Sequence, residues 1–330
     1  MAIKIKGVGA YLPEKVMKND DWKAYFDTSD EWIVSHTGIK ERHVIADDES
    51  TVDLAARAAR AALENAGMKI EEIDMIIVAT CSPDYIGFPT TANILQRDLG
   101  AGNIPSFDIR VACTGFVYGL SIANGFIAAD TGVNNVLLVA AEALTRIMDW
   151  NDRSTAVLFG DGAGAMILGR SDDGSNSLID SVLYSKGDEK ALVRPGGGTR
   201  NPLNPKGVFQ EEINKTFLKM DGQSVYQFAV RSIGEVVQSL LDRNHLTLDD
   251  IAYIVPHQAN RRIIEAVAGR RKWPIEKFFI NLDKTANTSA ASIPLALNDM
   301  VKQGLLKKGM KIILVGFGAG LTWGGALLEW

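Results

Sequence analysis

Four apolar runs, at residues 73–80, 135–141, 251–255 and 310–315, constrain this chain most. A strand buried on both faces reads as a continuous apolar run, as strands of parallel sheets do. Each run sits among stretches of helical periodicity, and the order of elements occurs twice. The helix predicted over 222–241 repeats that over 52–66. Strand 251–255 repeats 73–79, and helix 260–268 repeats 92–99. The short strand 278–282 repeats 106–109, and strand 310–315 repeats 135–140. Asn287 opens a helix as Cys113 does. The repetition predicts an α/β fold of two pseudo-twofold-related βαβαβ halves, with parallel sheets between helices. Cys113 and Asn287 then hold related places on a shared crevice.

The halves divide as 1–170, carrying Cys113, and 171–330, carrying His257 and Asn287. Residues 170–218 are the least regular part. Pro195-Gly196-Gly197-Gly198 and Asn201-Pro202-Leu203-Asn204-Pro205 are loop chemistry, read as a boundary and as a lid over a binding site. Residues 156–168 read as strand, glycine turn and strand. Gly160-Asp161-Gly162-Ala163-Gly164 is no dinucleotide fingerprint, because its third glycine comes one residue early and no helix follows. Those glycines read as close backbone packing.

A chain of 330 residues, 46% hydrophobic, has ample material for a large core. A net charge of −5 gives no footprint for nucleic acid. Two cysteines make no disulfide framework, and nothing marks them as metal ligands. Residues 2–6 alternate like a strand rather than a signal peptide, and no stretch has transmembrane length. The expectation is a cytoplasmic protein without membrane or nucleic-acid partners.

Three residues draw attention as chemistry. Cys113 falls at a helix start, where free N–H groups and the helix dipole favour a thiolate and lower its pKa. His257 follows strand 251–255 directly, at the strand end where α/β folds place ligands. Asn287 precedes an apolar helix. Alone, each has an ordinary reading: a core cysteine, a structural histidine, an N-cap. Together they put a nucleophile and two neutral hydrogen-bonding groups on one predicted face.

The motifs around them are specific. They are Thr28-Ser29-Asp30-Glu31-Trp32-Ile33 with Thr37-Gly38-Ile39; Ala112-Cys113-Thr114-Gly115-Phe116; Asp152-Arg153-Ser154-Thr155; Pro256-His257-Gln258-Ala259-Asn260; Asn287-Thr288-Ser289-Ala290-Ala291-Ser292; and Gly316-Phe317-Gly318-Ala319-Gly320. On these the whole chain resembles the thiolase superfamily, and within it the 3-oxoacyl-acyl-carrier-protein synthase III family. The resemblance implies a layered α-β-α-β-α sandwich. It implies a decarboxylating Claisen condensation of an acyl-CoA primer with malonyl-acyl-carrier protein, starting type II fatty-acid synthesis. Cys113 would carry the acyl group, with its own N–H and that of Ala319 as oxyanion hole. His257 and Asn287 would donate to the malonyl thioester. Trp32, Arg153, His36 and Asn260 would bind CoA. Phe88 would reach across a homodimer to the partner's acyl pocket, and Arg262 and Arg270 would meet the acidic carrier protein. No cofactor or metal is implied.

Several positions depart from the family pattern. His36 stands for an arginine near the CoA phosphates, Thr285-Ala286 for an aromatic or histidine followed by glycine, and Ala319 for a glycine. Arg110 is unusual beside the nucleophile, where it would pair with an acid or lower the thiol pKa. Rival readings are the same chemistry on a longer, branched or polyketide-type substrate, and a catalytically silent binding protein. A degradative thiolase would need a second catalytic cysteine, and Cys81 lies in no matching motif.

Overall fold

Apolar strands interleaved with amphipathic helices have one stable solution, which is to bury both faces of each sheet. The computed structural model describes residues 2–202 and 216–330. The part of the expected lid at 203–215 lies outside the described residues.

The frame strands are β1 (Ile3–Tyr11), β2 (Met75–Ala79), β3 (Ser106–Ile109), β4 (Asn135–Glu142), β5 (Gly162–Arg170), β6 (Leu178–Asp188), β7 (Ile251–Pro256), β8 (Lys311–Gly318) and β9 (Gly320–Glu329). One sheet runs β1-β5-β4-β2-β3 and the other β6-β9-β8-β7. The expectation of parallel sheets holds only in part. β4, β2 and β3 are mutually parallel, as are β7 and β8, but β5 and β9 join antiparallel. For β9 the cause is connection length: β8 turns straight into it through a tight hairpin, too short for a crossover. The pairing senses match between the halves: β1 pairs antiparallel with β5 in one, and β6 antiparallel with β9 in the other.

The helices are α1 (Asp30–Thr37), α2 (Thr51–Ala66), α3 (Thr91–Leu99), α4 (Gly115–Ala128), α5 (Gly222–Arg243), α6 (Arg261–Arg271) and α7 (Ser292–Lys302). Strand alternation assigns the layers. Met75, Ile77, Ile312 and Leu314 meet α4 and α7 in one core between the sheets. Ile76 and Val78 face α2 on one outer side, and Ile313 and Val315 face α5 and α6 on the other. The layers are therefore α-β-α-β-α. Gly115 lets α4 and the turn before α7 touch, since a side-chain carbon there would lie 2.8 Å from Ala79 and 3.3 Å from Ala290. Among the described residues, no helix is long and apolar enough to cross a membrane.

Four sequence expectations change. Residues 156–159 form no strand: a short helix, Arg153–Ala156, precedes them, and β5 follows the glycines. The glycines do allow close packing, Gly164 against Pro294 and Leu295. Residues 278–282 shrink to one bridge, Phe278 to Ile254, in the place of β3. The irregular region 170–218 contains the long strand β6. Finally, Asn287 is not the counterpart of Cys113. The short turns Ala112–Thr114 and Ser289–Ala291 lead into α4 and α7 in the same way, which pairs Cys113 with Ala290.

Candidate active site

β3 ends at Ile109, and the chain reaches α4 through a tight turn whose first residue, Ala112, is left-handed at φ 45°. Cys113 is its middle residue and is 7% exposed. Thr114 Oγ1 donates to the Thr322 carbonyl at 3.1 Å, tying the turn to the glycine-rich β8–β9 hairpin. A side-chain carbon on Gly318 would lie 2.9 Å from the Cys113 nitrogen, so the hairpin packs directly on the nucleophile's amide. Burial pushes the Cys113 thiol up to about 12, with the Ser289 hydroxyl pulling the other way. The expected lowering by the helix start is overturned, because desolvation of the charged form outweighs it. Nor does Arg110 lower it: Arg110 is exposed, and its hydrogen bond goes to the Ile86 carbonyl at 3.4 Å.

His257 follows β7 and is 1% exposed. Its Nδ1 lies 2.7 Å from Ser292 Oγ. That oxygen also accepts the Gln258 N–H at 3.3 Å, and Nδ1 is the one acceptor within reach of its own proton among the described residues, which assigns the O–H to Nδ1. The ring proton then sits on Nε2, which has no protein partner among the described residues. Burial lowers His257 to about 3, so the ring is neutral at ordinary pH.

Asn287 is fixed from the backbone outward. Its N–H donates to Leu158 at 2.9 Å, and its carbonyl accepts from Gly160 at 3.1 Å. Oδ1 accepts the Ser289 N–H at 2.9 Å, which leaves the Nδ2 protons unspent. Cys113, His257 and Asn287 line one pocket of about 240 Å³, with Trp32, His36 and Asn260 toward its mouth. The site therefore offers a thiol and two outward N–H donors on neutral groups.

The remaining sequence candidates divide. The Arg153 guanidinium lies 4.4 Å from the Trp32 ring, and the His36 ring stacks on Trp32 at 4.4 Å. A planar base between Trp32 and Arg153 needs roughly 7 Å, two contacts of about 3.5 Å, so Arg153 must swing aside to admit one. Asn260 caps α6 and donates from Nδ2 to the His36 carbonyl at 3.0 Å, joining α1 to α6. Ala319 is not left-handed, which its side chain requires. It lines a second hollow, on the other side of the 110–113 turn. Phe88 is 91% exposed and does not line the Cys113 pocket of its own chain. Arg262 and Arg270 stand exposed near opposite ends of α6, about 12 Å apart along the axis. Arg261 pairs with Glu265 at 2.8 Å, and Arg271 lies over Trp273.

Sequence reasoning missed the roles of Ser292 and Glu142, and it set Cys81 aside as lying in no matching motif. Ser292 sets the His257 tautomer; a serine opening a mostly buried helix was its signal. Glu142 is wholly buried and accepts from Ser82 Oγ at 2.7 Å, and burial raises its pKa. Cys81 lies beside it, Sγ 3.2 Å from both carboxyl oxygens and 3.7 Å from Ser289 Oγ. Burial and the neighbouring Glu142 raise Cys81 well above the ordinary thiol range. No cluster set to hold a metal occurs among the described residues.

This arrangement can be compared with known proteins. Residues 107–187 match the family described as 3-oxoacyl-[acyl-carrier-protein (ACP)] synthase III, and 241–330 match its C-terminal model. A beta-ketoacyl-[acyl-carrier-protein] synthase III of Caldanaerobacter subterraneus is 48% identical over 100% of this chain and 98% of its own. The chain belongs to the 3-oxoacyl-acyl-carrier-protein synthase III family. The crystal structure of the synthase III of Aquifex aeolicus VF5 superimposes with a TM-score of 0.89 at 41% identity, covering 99% of this chain and 100% of that one. The priming beta-ketosynthase of the R1128 polyketide pathway is 33% identical, with a TM-score of 0.87 over 99% of this chain and 96% of its own. The synthase III fold is thus the thiolase-like sandwich described above.

Proposed function

We propose that this protein condenses an acyl-CoA primer with malonyl-acyl-carrier protein, releasing CoA and CO2 and giving 3-oxoacyl-acyl-carrier protein. The observation that carries the reading is the pair of unspent donors, His257 Nε2 and Asn287 Nδ2, in the pocket that Cys113 opens on.

Cys113 sulfur bonds to the primer's acyl carbon as the bond to the CoA sulfur breaks. The proton lost by the Cys113 thiol balances the one gained by CoA. The Cys113 and Ala319 amides are our assignment for the oxyanion hole. The malonyl thioester then enters the emptied arm of the pocket. Its carbonyl accepts from His257 and Asn287, its carboxylate leaves as CO2, and those donors hold the enolate. The enolate carbon attacks the acyl carbon, and Cys113 sulfur departs and regains a proton. A neutral histidine suits this step, since it donates without carrying a buried charge. The reaction changes no oxidation state, so the scheme calls for no redox cofactor or metal. Trp32, Arg153, His36 and Asn260 would hold CoA. Arg262 and Arg270 would steer the acidic carrier, and exposed Phe88 would be covered by a second copy in a homodimer. The cytoplasm is where such substrates and free thiols coexist.

The test separates the half-reactions. Cys113→Ala should abolish condensation yet leave slow CO2 release from malonyl-carrier protein. His257→Ala and Asn287→Ala should still acylate Cys113 but lose CO2 release. Equal loss of both half-reactions in all three variants would contradict these roles.

A further inference from the structure

We propose that Glu142 receives the proton of the Cys113 thiol during acylation, passed along by the Ser289 hydroxyl and the Cys81 thiol. This rests on the reading of Cys113 as acyl carrier and supplies the base that step needs. A thiol held at about 12 must give up its proton before its sulfur can attack. Among the described residues no carboxylate lines the Cys113 pocket, and its histidines are His257 and His36. His257 presents Nε2–H, a donor, while its Nδ1 lone pair takes the Ser292 O–H. His36 stands at the mouth, stacked on Trp32. The acceptor therefore lies behind the nucleophile.

Behind it runs a buried chain of exchangeable protons. The Ser289–Ala291 turn packs on the Ala112–Thr114 turn. Ser289, 2% exposed, places Oγ 3.7 Å from Cys81 Sγ, which lies 3.2 Å from Glu142 Oε1. The reach of the same hydroxyl takes in the Cys113 thiol and Glu142, where it favours the charged form of each. Glu142 Oε2 accepts from Thr80 Oγ1, the Cys81 and Ser82 N–H groups and Ser82 Oγ, which holds the carboxyl ionised at rest. Oε1 faces the Cys81 thiol and accepts no backbone N–H among the described residues, so a proton has a place there. Burial raises the carboxyl's hold on such a proton. The Glu142 charge raises both thiols, so a second buried charge beside it is costly. Passing a proton from Cys113 to Glu142 moves the one charge to sulfur without adding another. Each link shifts one proton: Cys113 S–H to Ser289 Oγ, Ser289 O–H to Cys81 Sγ, Cys81 S–H to Glu142 Oε1. Cys113 sulfur then bonds to the acyl carbon, the CoA sulfur leaves, and the chain run backwards supplies its proton.

Acylation from acetyl- and butyryl-CoA, read by intact mass at short times, tests this beside CO2 release from malonyl-carrier protein, which needs no thiolate. Glu142→Gln and Ser289→Ala should slow acylation about a hundredfold or more and leave CO2 release running. Ser289→Ala keeps the N–H that holds Asn287, so it reports even where Glu142→Gln misfolds. Cys81→Ala should slow acylation too, and Cys81→Ser should restore it, since a hydroxyl passes a proton as a thiol does. The sign at Glu142 separates acceptor from bystander. Its charge raises the Cys113 thiol, so a carboxylate acting through charge alone would make Glu142→Gln acylate faster. Acylation at the wild-type rate or faster in Glu142→Gln or Ser289→Ala would overturn the relay and leave the acyl-Cys113 reading standing. Equal loss of both half-reactions would do the same, making the cluster structural. No acylation of the wild-type protein would overturn both.

Discussion

Ser292 shows how one hydroxyl decides what a buried imidazole can do. Because the Ser292 O–H is donated to Nδ1, His257 keeps its ring proton on Nε2, facing substrate. Ser292→Ala removes that donor, and the proton can move to Nδ1, turning Nε2 into an acceptor. Malonyl-carrier decarboxylation should then fall about tenfold or more at pH 7, by the roughly 1–3 kcal/mol that an unmatched buried polar group costs. The pH profile is the discriminating readout. With His257 lowered to about 3, the wild-type step should be flat from pH 5 to 8. The variant should stay low across that window and recover only as pH approaches 3, where an imidazolium forms and donates from both nitrogens. A loss in Ser292→Ala that stays constant as pH approaches 3 would make Ser292 merely structural. Cys113 illustrates the opposite limit of sequence reasoning. Its type and its place at a helix start were legible, but its pKa depends on burial by β8, β9 and the Ser289 turn, which come from the far half of the chain.

At the scale of elements, the active-site face is built by short left-handed turns. Ala112 at φ 45° and Ser289 at φ 49° open equivalent turns before α4 and α7. The sequence placed both helices, yet it paired Asn287 with Cys113, because a turn of three residues leaves no periodicity to register against. Ala286 is the strained member, buried at φ 54° and ψ −161°, a region nearly reserved for glycine. The departure noticed there in sequence is therefore a real backbone conflict. Ala286→Gly should raise unfolding free energy by about 1 kcal/mol, the relief of strain less the added freedom of the unfolded chain. Chemical denaturation at constant slope checks this, and a lower midpoint would show that Ala286 is not strained.

At the scale of the whole molecule, the duplicated order of strands and helices was legible because burial on both faces leaves continuous apolar runs. β2 and β8 were each found this way. The mixed pairing was not, since β9, with three glycines in ten residues, carries no such run, and its place follows from a hairpin too short to cross over. That Cys113, His257 and Asn287 share one pocket was expected, though the pairing of Asn287 with Cys113 behind that expectation was not the real one, and the second hollow required the fold. The central claim is that Cys113, protonated at rest and buried, carries the acyl group. Intact-protein mass spectrometry after mixing with acyl-CoAs of graded length tests it most directly. One acyl mass, mapped to Cys113 and absent from Cys113→Ala, is the predicted result. No adduct, or one retained on Cys81 in Cys113→Ala, would contradict the account.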